Sequence, residues 1–195
     1  QSSRKRLHWL SRCRHESNPT GMDRNCRLAR AASARHKPPA MDHAYRIIED
    51  DLTGPEVAAL LRLHLDDMHQ WSPPDSVHAM PIERLRGADV TFWSAWDGPR
   101  IAACGALRQL DPAHGELKSM RAHPDYRGRG AGKAILRHMI AEAGHRGYAR
   151  LSLETGSPDA FIPARTLYES HGFEPCGPFA DYVFDPFSVY MTRTL

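Results

Sequence analysis

The sequence predicts a mixed α/β domain, with a mostly antiparallel central sheet flanked by helices and one parallel β-α-β crossover. Three observations predict it. Strand-like runs at residues 90–96, 101–107 and 116–122 are separated by little more than turn signals, the pattern of consecutive antiparallel strands. Apolar residues recur at a helical period over 57–68 and again over 135–143. Between the last of these strands and the second helix lies Arg127-Gly-Arg-Gly-Ala-Gly-Lys133, and a short apolar strand at Leu151 follows, as a parallel return requires.

Tyr45-Arg-Ile-Ile-Glu-Asp reads as the first strand. Thr53 is placed to cap the next helix, with Pro55 in its first turn and Glu56 three residues after the cap. Val57, Leu60, Leu61, Leu65 and Met68 then form one helical face. A Pro-rich loop follows from Ser72, and residues 81–86 suit a short helix. Asp97-Gly98 is a hairpin signal, and Asp111-Pro with His114-Gly115 punctuates a second turn. The helix from about 131 to 144 buries Ile135, Leu136, Met139, Ile140 and Ala143, and Gly147 ends it. A further helix spans 160–170, its regular part confined by Pro163 to the later turns and stopped by Gly172. Phe187, Val189 and Met191 alternate in a last strand.

The chain has 195 residues, enough for one domain with a sizeable core. No apolar run approaches the roughly 18 residues that a membrane span needs. The net charge of +3 is unevenly spread. Residues 1–40 carry 10 Lys/Arg against Glu16 and Asp23, a net of +8, whereas residues 41–195 carry 16 basic and 21 acidic residues, a net of −5. The first segment lacks sustained periodicity and is expected to be a disordered basic extension, with the domain over 41–195. Three origins are open for it: upstream sequence ahead of a working start at Met41, a basic arm that touches nucleic acid or anionic surfaces, or a transit peptide. The four cysteines, Cys13, Cys26, Cys104 and Cys176, form no C-x-x-C pair, so a reduced, cytoplasmic setting is expected. His8, Cys13, His15 and Cys26 match no common zinc spacing, and no metal is expected.

The glycine loop is suited to a polyphosphate. Unpaired backbone N–H groups at a helix start carry about half a positive charge, glycines permit close approach, and Arg127, Arg129 and Lys133 add cations. It is not a Walker A loop, because Ala134 stands where the magnesium-binding hydroxyl belongs. Nor does it match the G-x-G-x-x-G dinucleotide fingerprint. It fits Arg-x-x-Gly-x-Gly, as Arg127, Gly130 and Gly132.

With His123-Pro124-x-x-Arg127 before that loop and Leu167-Tyr168-x-x-x-Gly172-Phe173 after it, residues 41–195 resemble the GNAT family of acyl-CoA N-acyltransferases. Ser72-Pro-Pro-Asp-Ser-Val-His-Ala, Gly115-Glu-Leu-Lys-Ser-Met-Arg, Leu153-Glu-Thr-Gly-Ser and Cys176-Gly-Pro-Phe are similar to a bacterial acetyltransferase subgroup without an assigned acceptor. The resemblance implies a GNAT fold, acetyl-CoA as cosubstrate, and direct transfer of the acetyl group to a primary amine of a small molecule. A protein amine, or a non-catalytic acyl-CoA sensor, is the alternative.

The resemblance also implies roles. The loop residues Arg127, Gly128, Arg129, Gly130, Ala131, Gly132 and Lys133 hold the pyrophosphate, and the strand Met120-Arg121-Ala122 runs beside the pantetheine, with an N–H near Met120 facing the thioester. Glu116 is the expected base, Glu154 and His78 are alternatives, and Tyr168 is the expected donor to the leaving sulfur. Phe161 stands where many members carry a cofactor-contacting Asn; Arg165 is near enough to compensate, although an exposed helix arginine is the plainer reading. The acceptor is expected among His64, Asp66, Asp67, His69, Trp71 and His78 on one side and Asp181 and Tyr182 on the other, a grouping suited to a small cationic amine. Cys104 and Cys176 are read as structural. A homodimer is left open, and neither a membrane nor a nucleic acid is expected as a partner.

Overall fold

Two tight turns and period-two patterning build the first half of the sheet, and the glycine loop redirects the chain into the second half. The computed structural model describes residues 44–195, so the expectations for the basic extension and its His/Cys set lie outside the described residues. The elements are β1 (Arg46–Glu49), α1 (Pro55–Trp71), α2 (Ile82–Leu85), β2 (Val90–Asp97), β3 (Arg100–Asp111), β4 (His114–Ala122), α3 (Ala131–His145), β5 (Arg150–Gly156), α4 (Ile162–Glu169), β6 (Glu174–Cys176) and β7 (Ser188–Thr194). The strand order is β1-β2-β3-β4-β5-β7-β6. Every ladder is antiparallel except β4–β5, where α3 provides the crossover. This is the expected fold class.

Some local expectations change. The cap of α1 is Gly54, without a side-chain bond. Thr53 instead spends its hydroxyl on Asp51 at 2.6 Å. Leu65 is exposed, because α1 buries the narrower row Val57, Leu60 and Met68. The strand begun at Ile101 runs on to Asp111, and Pro112-Ala113 alone turns it into β4. The 160–170 helix divides into a 3-10 turn at Asp159–Phe161 and a regular part from Ile162, where Pro163 fits the first turn. Phe187 precedes the last strand and is 40% exposed.

The sheet buries both faces. Leu117, Leu151, Leu153 and Met191 pack with Ile135, Leu136 and Met139 of α3. Phe92, Cys104 and Ala106 pack with Val57 and Leu60 of α1 and Leu85 of α2. Each such large side chain contributes about 1.5–3 kcal/mol by leaving water. These two layers fix α1 over one face and α3 over the other, and the cleft described next opens between them.

Candidate active site

β4 and β5 pair only from His114↔Arg150 to Leu117↔Leu153. Beyond Leu117 the two parallel strands diverge, β4 staying with β3 and β5 with β7. The fork leads into a cavity of about 800 Å³ lined by residues of α1, β4, the glycine loop, β5 and α4. On β4 the fork coincides with a β-bulge. Ala106 opposes Lys118 and Cys104 opposes Arg121, so Ser119 and Met120 together face the single residue Gly105. Ser119 takes φ 52°, a left-handed conformation that costs a non-glycine residue about 1 kcal/mol or more. Gly105 leaves room for the bulge: a Cβ there would stand 2.9 Å from Met120 Sδ.

At the mouth of the fork the glycine loop meets α3. Gly128 has φ 72°, and Gly130, the N-cap of α3, has φ 87°. No side chain caps this helix, so its first N–H groups remain as donors toward the opening. Arg127, Gly128, Gly130, Gly132 and Lys133 line the cavity, as do Met120, Arg121 and Ala122. Arg129 and Ala131 do not. Arg129 lies over the Tyr126 ring at 4.8 Å, and Ala131 is wholly buried in the core. The Arg129 N–H is also given to the Tyr126 carbonyl at 3.2 Å, so any role of this pair toward a ligand rests on the Ala131 backbone. Tyr126 fixes the loop from below by donating its hydroxyl to Asp97 at 3.0 Å.

The polar residues gather on the α1 side of the sheet. Glu116, the expected base, is 0% exposed and does not line the cavity. Tyr182 donates to its Oε1 at 2.7 Å, and Arg108 and Lys118 each stand 3.5 Å from it. Lys118 in turn donates to Tyr182 Oη at 2.7 Å and to the His78 carbonyl at 3.0 Å. Tyr182, from the segment between β6 and β7, thus closes the network over Glu116. Burial and the neighbouring carboxylate push its phenol far above its usual pKa, so it stays a donor.

Glu154 does line the cavity, on the β5 arm of the fork. It accepts from Ser188 at 2.7 Å, and burial raises its pKa above the ordinary glutamate value. His78 lines the cavity too, with Nε2 3.7 Å from Asp185 and its ring edge-on to Tyr182. Tyr168 reaches the cavity from α4. It is 6% exposed, and burial raises its phenol well above the usual value.

Phe161 and Arg165 also take definite places. Phe161 lies flat against Gly156, where a Cβ would stand 2.4 Å from the ring, and it forms part of the cavity wall. Arg165 is half-buried and lies outside the cavity lining. Its Nη1 donates to the carbonyls of Gly156, Ser157 and Pro158 and holds the turn between β5 and α4. Of the proposed acceptor group, His64, Asp67, Trp71 and His78 line the cavity, while Asp66, His69 and Asp181 are exposed away from it. Asp67 stands 2.6 Å from Arg121 and 3.3 Å from Arg127. Burial together with Arg121 pushes the His64 imidazole down to about 4, so it is neutral near pH 7. Cys104 is no nucleophile: burial pushes its thiol up to about 12, and its Sγ donates to the Ser119 carbonyl.

Sequence reasoning missed Lys118, and it missed that the Arg121 side chain belongs with the acceptor-side groups. The detectable signal was Gly105 in the strand that faces Ser119-Met120, which marks a bulge once the strands are paired.

Comparison with known proteins places these features in a family. The family described as Acetyltransferase (GNAT) matches residues 42–173. The uncharacterized N-acetyltransferase YsnE of Bacillus subtilis is 56% identical over 146 residues, covering 75% of this chain and 97% of that protein. The uncharacterized N-acetyltransferase YedL of Escherichia coli is 50% identical over 151 residues, covering 77% and 95%. A GNAT family acetyltransferase from Elizabethkingia anophelis, solved with acetyl-CoA bound, shares the fold with a TM-score of 0.58 at 18% identity, covering 77% of this chain and 98% of that one.

Proposed function

The chain belongs to the GNAT family of acyl-CoA-dependent N-acetyltransferases, and from that premise we propose that it acetylates the primary amine of a small molecule by direct transfer, with Glu154 as base and Tyr168 as donor to the leaving sulfur. The observation that carries this reading is the fork between β4 and β5: a helix start with free N–H donors stands at its mouth, and Glu154 and Tyr168 stand on its walls.

The residues present fit acetyl-CoA. The backbone N–H groups of Gly128 and of Gly130 to Lys133, with the Arg127 and Lys133 cations, hold the pyrophosphate. A Cβ at Gly128 or Gly130 would meet no protein atom within 4 Å, so these glycines border open space where a phosphate can approach. The main chain from Met120 to Ala122 accompanies the pantetheine, and the Met120 N–H is the donor toward the thioester carbonyl. Bound there, acetyl-CoA supplies an activated acetyl group, which leaves sulfur for nitrogen.

The remaining chemistry is proton handling. An amine arrives as an ammonium ion and must lose one proton before attack and a second as the C–N bond forms and the C–S bond breaks. Glu154 takes these protons in turn, and its raised pKa brings it closer to the basicity the task needs. One proton ends on the thiol and the other leaves to solvent. The Tyr168 phenol, held protonated by burial, donates a hydrogen bond to the sulfur as charge develops there. Glu116 acts indirectly, by anchoring Lys118 and Tyr182. The depth of the acceptor side, where Lys118 is 9% exposed, supports a small acceptor over a protein chain.

The test is thiol release from acetyl-CoA across a panel of small amines, amino acids and peptides. Amine-dependent release, lowered about 10²-fold or more in Glu154→Gln, is expected. Release from peptides alone would reject the small-molecule acceptor, and a Glu154→Gln variant as active as the parent would reject the base.

A further inference from the structure

The bulge at Ser119-Met120 does more than open the fork. In an unbroken strand Lys118 and Arg121 would face opposite sides of the sheet. With one extra residue between them they face the same side, opposite Ala106 and Cys104, which pack toward α1. Glu154 shares that side on β5, since Glu116 pairs with Ser152 two residues earlier. The acceptor side of the cavity therefore has a carboxylate on one arm of the fork and a guanidinium on the other.

The two cations differ in how far they are satisfied. Lys118 is committed to Tyr182, the His78 carbonyl and Glu116. Arg121 is only 13% exposed, yet its one protein partner among the described residues is Asp67, at 2.6 Å from Nη2, and its Nε is enclosed without an acceptor. Asp67 is itself divided between Arg121 and Arg127. A guanidinium has five N–H donors, and a buried one left so nearly unpaired is costly unless a ligand completes it. His64, beside it, is held neutral chiefly by burial, with Arg121 adding to the effect and Asp67 opposing it, so it brings no charge of its own near pH 7.

We propose that the acceptor is an amino acid, a small molecule carrying both the amine that is acetylated and a carboxylate, with the carboxylate received by Arg121 and the amine presented to Glu154. This rests on the acetyltransferase reading and narrows its acceptor. It replaces a purely cationic amine, which would leave the remaining N–H donors of Arg121 without an acceptor. It also explains the bulge: without it the guanidinium would lie on the α3 side, away from Glu154.

The test uses the full chain and pairs each α- and ω-amino acid with its own carboxamide, which keeps the amine and removes the negative charge. The acids are expected to exceed their amides in kcat/KM by about tenfold or more, through KM. In Arg121→Gln that preference should fall to near unity, and Arg121→Lys should restore part of it. Titration with acetyl-CoA and a melting curve accompany each variant. Amides or plain amines used as well as the acids would overturn the inference, and this wild-type comparison stands even if a variant misfolds. So would an Arg121→Gln defect that appears as lost acetyl-CoA affinity, which would assign the guanidinium to the cosubstrate. A protein that binds acetyl-CoA but acetylates no amine fails the underlying reading; one that acetylates amines regardless of a carboxylate fails only this one.

Discussion

Lys118 and Arg121 lie three residues apart on β4 and point to the same side of the sheet, because Ser119 and Met120 together oppose Gly105. The left-handed φ of Ser119 is the local cost of that arrangement. Ser119→Val adds a β-branched side chain where the backbone tolerates it least, and a loss of about 1–2 kcal/mol is expected in urea unfolding. Ser119→Gly should be neutral or slightly stabilising. Equal stability of the two variants would mean that the backbone there is not under strain.

Glu116 and Glu154 are both carboxylates of the same sheet face, and their substitutions should fail differently. Glu154→Gln should lower kcat about 10²–10⁴-fold with the fold intact. Glu116→Gln leaves Lys118 without a buried counter-charge, while Arg108 keeps Asp89, and should cost about 3 kcal/mol in stability. In the parent enzyme the rate should rise with pH as Glu154 ionises, with its midpoint above the ordinary value because burial raises it. That limb should vanish in Glu154→Gln. Its persistence there would move the base elsewhere, His78 being the next group on the cavity wall.

Gly130 begins α3 at φ 87°. Gly130→Ala forces an L-residue into that conformation at about 1 kcal/mol and places a methyl at the proposed phosphate site. Acetyl-CoA binding measured by calorimetry should weaken about tenfold or more, well beyond the shift in stability. Unchanged affinity would show that the loop backbone is not the anion site.

His64 links stability to acid. Its pKa is about 4 in the folded protein against 6.5 for a free histidine, so between those values the unfolded chain binds a proton that the folded chain excludes. Stability should therefore be complete above about pH 6.5 and fall as pH drops toward 4. Arg121 and Lys118 deepen the effect and Asp67 opposes it. His64→Gln should recover about 6–12 °C of the melting temperature lost over that range. His114 and His138 are also held low by burial, so a residual slope should persist.

The element order and the glycine loop were legible in the sequence because both are written locally. Asp97-Gly98 and Gly147 mark turns by themselves, and the face of α3 is visible as a spacing. What escaped depends on pairing and on distant segments. The bulge exists only when β4 is laid beside β3, so no local pattern tells that Arg121 joins Lys118. Glu116 reads as an accessible base until Tyr182, 66 residues later, closes over it. Thr53 has the right chemistry for a cap, but Asp51 competes for its hydroxyl. Arg165 resembles a surface arginine until three carbonyls converge on it.

The most direct measurement follows a labelled acetyl group from acetyl-CoA in a single turnover with the full chain and an amino-acid acceptor. The account predicts that the label passes to the amine nitrogen at the rate of thiol release, with none held covalently on the protein, and that Glu154→Gln slows both together. Label trapped on the protein, or thiol released without an acetylated amine, would contradict it.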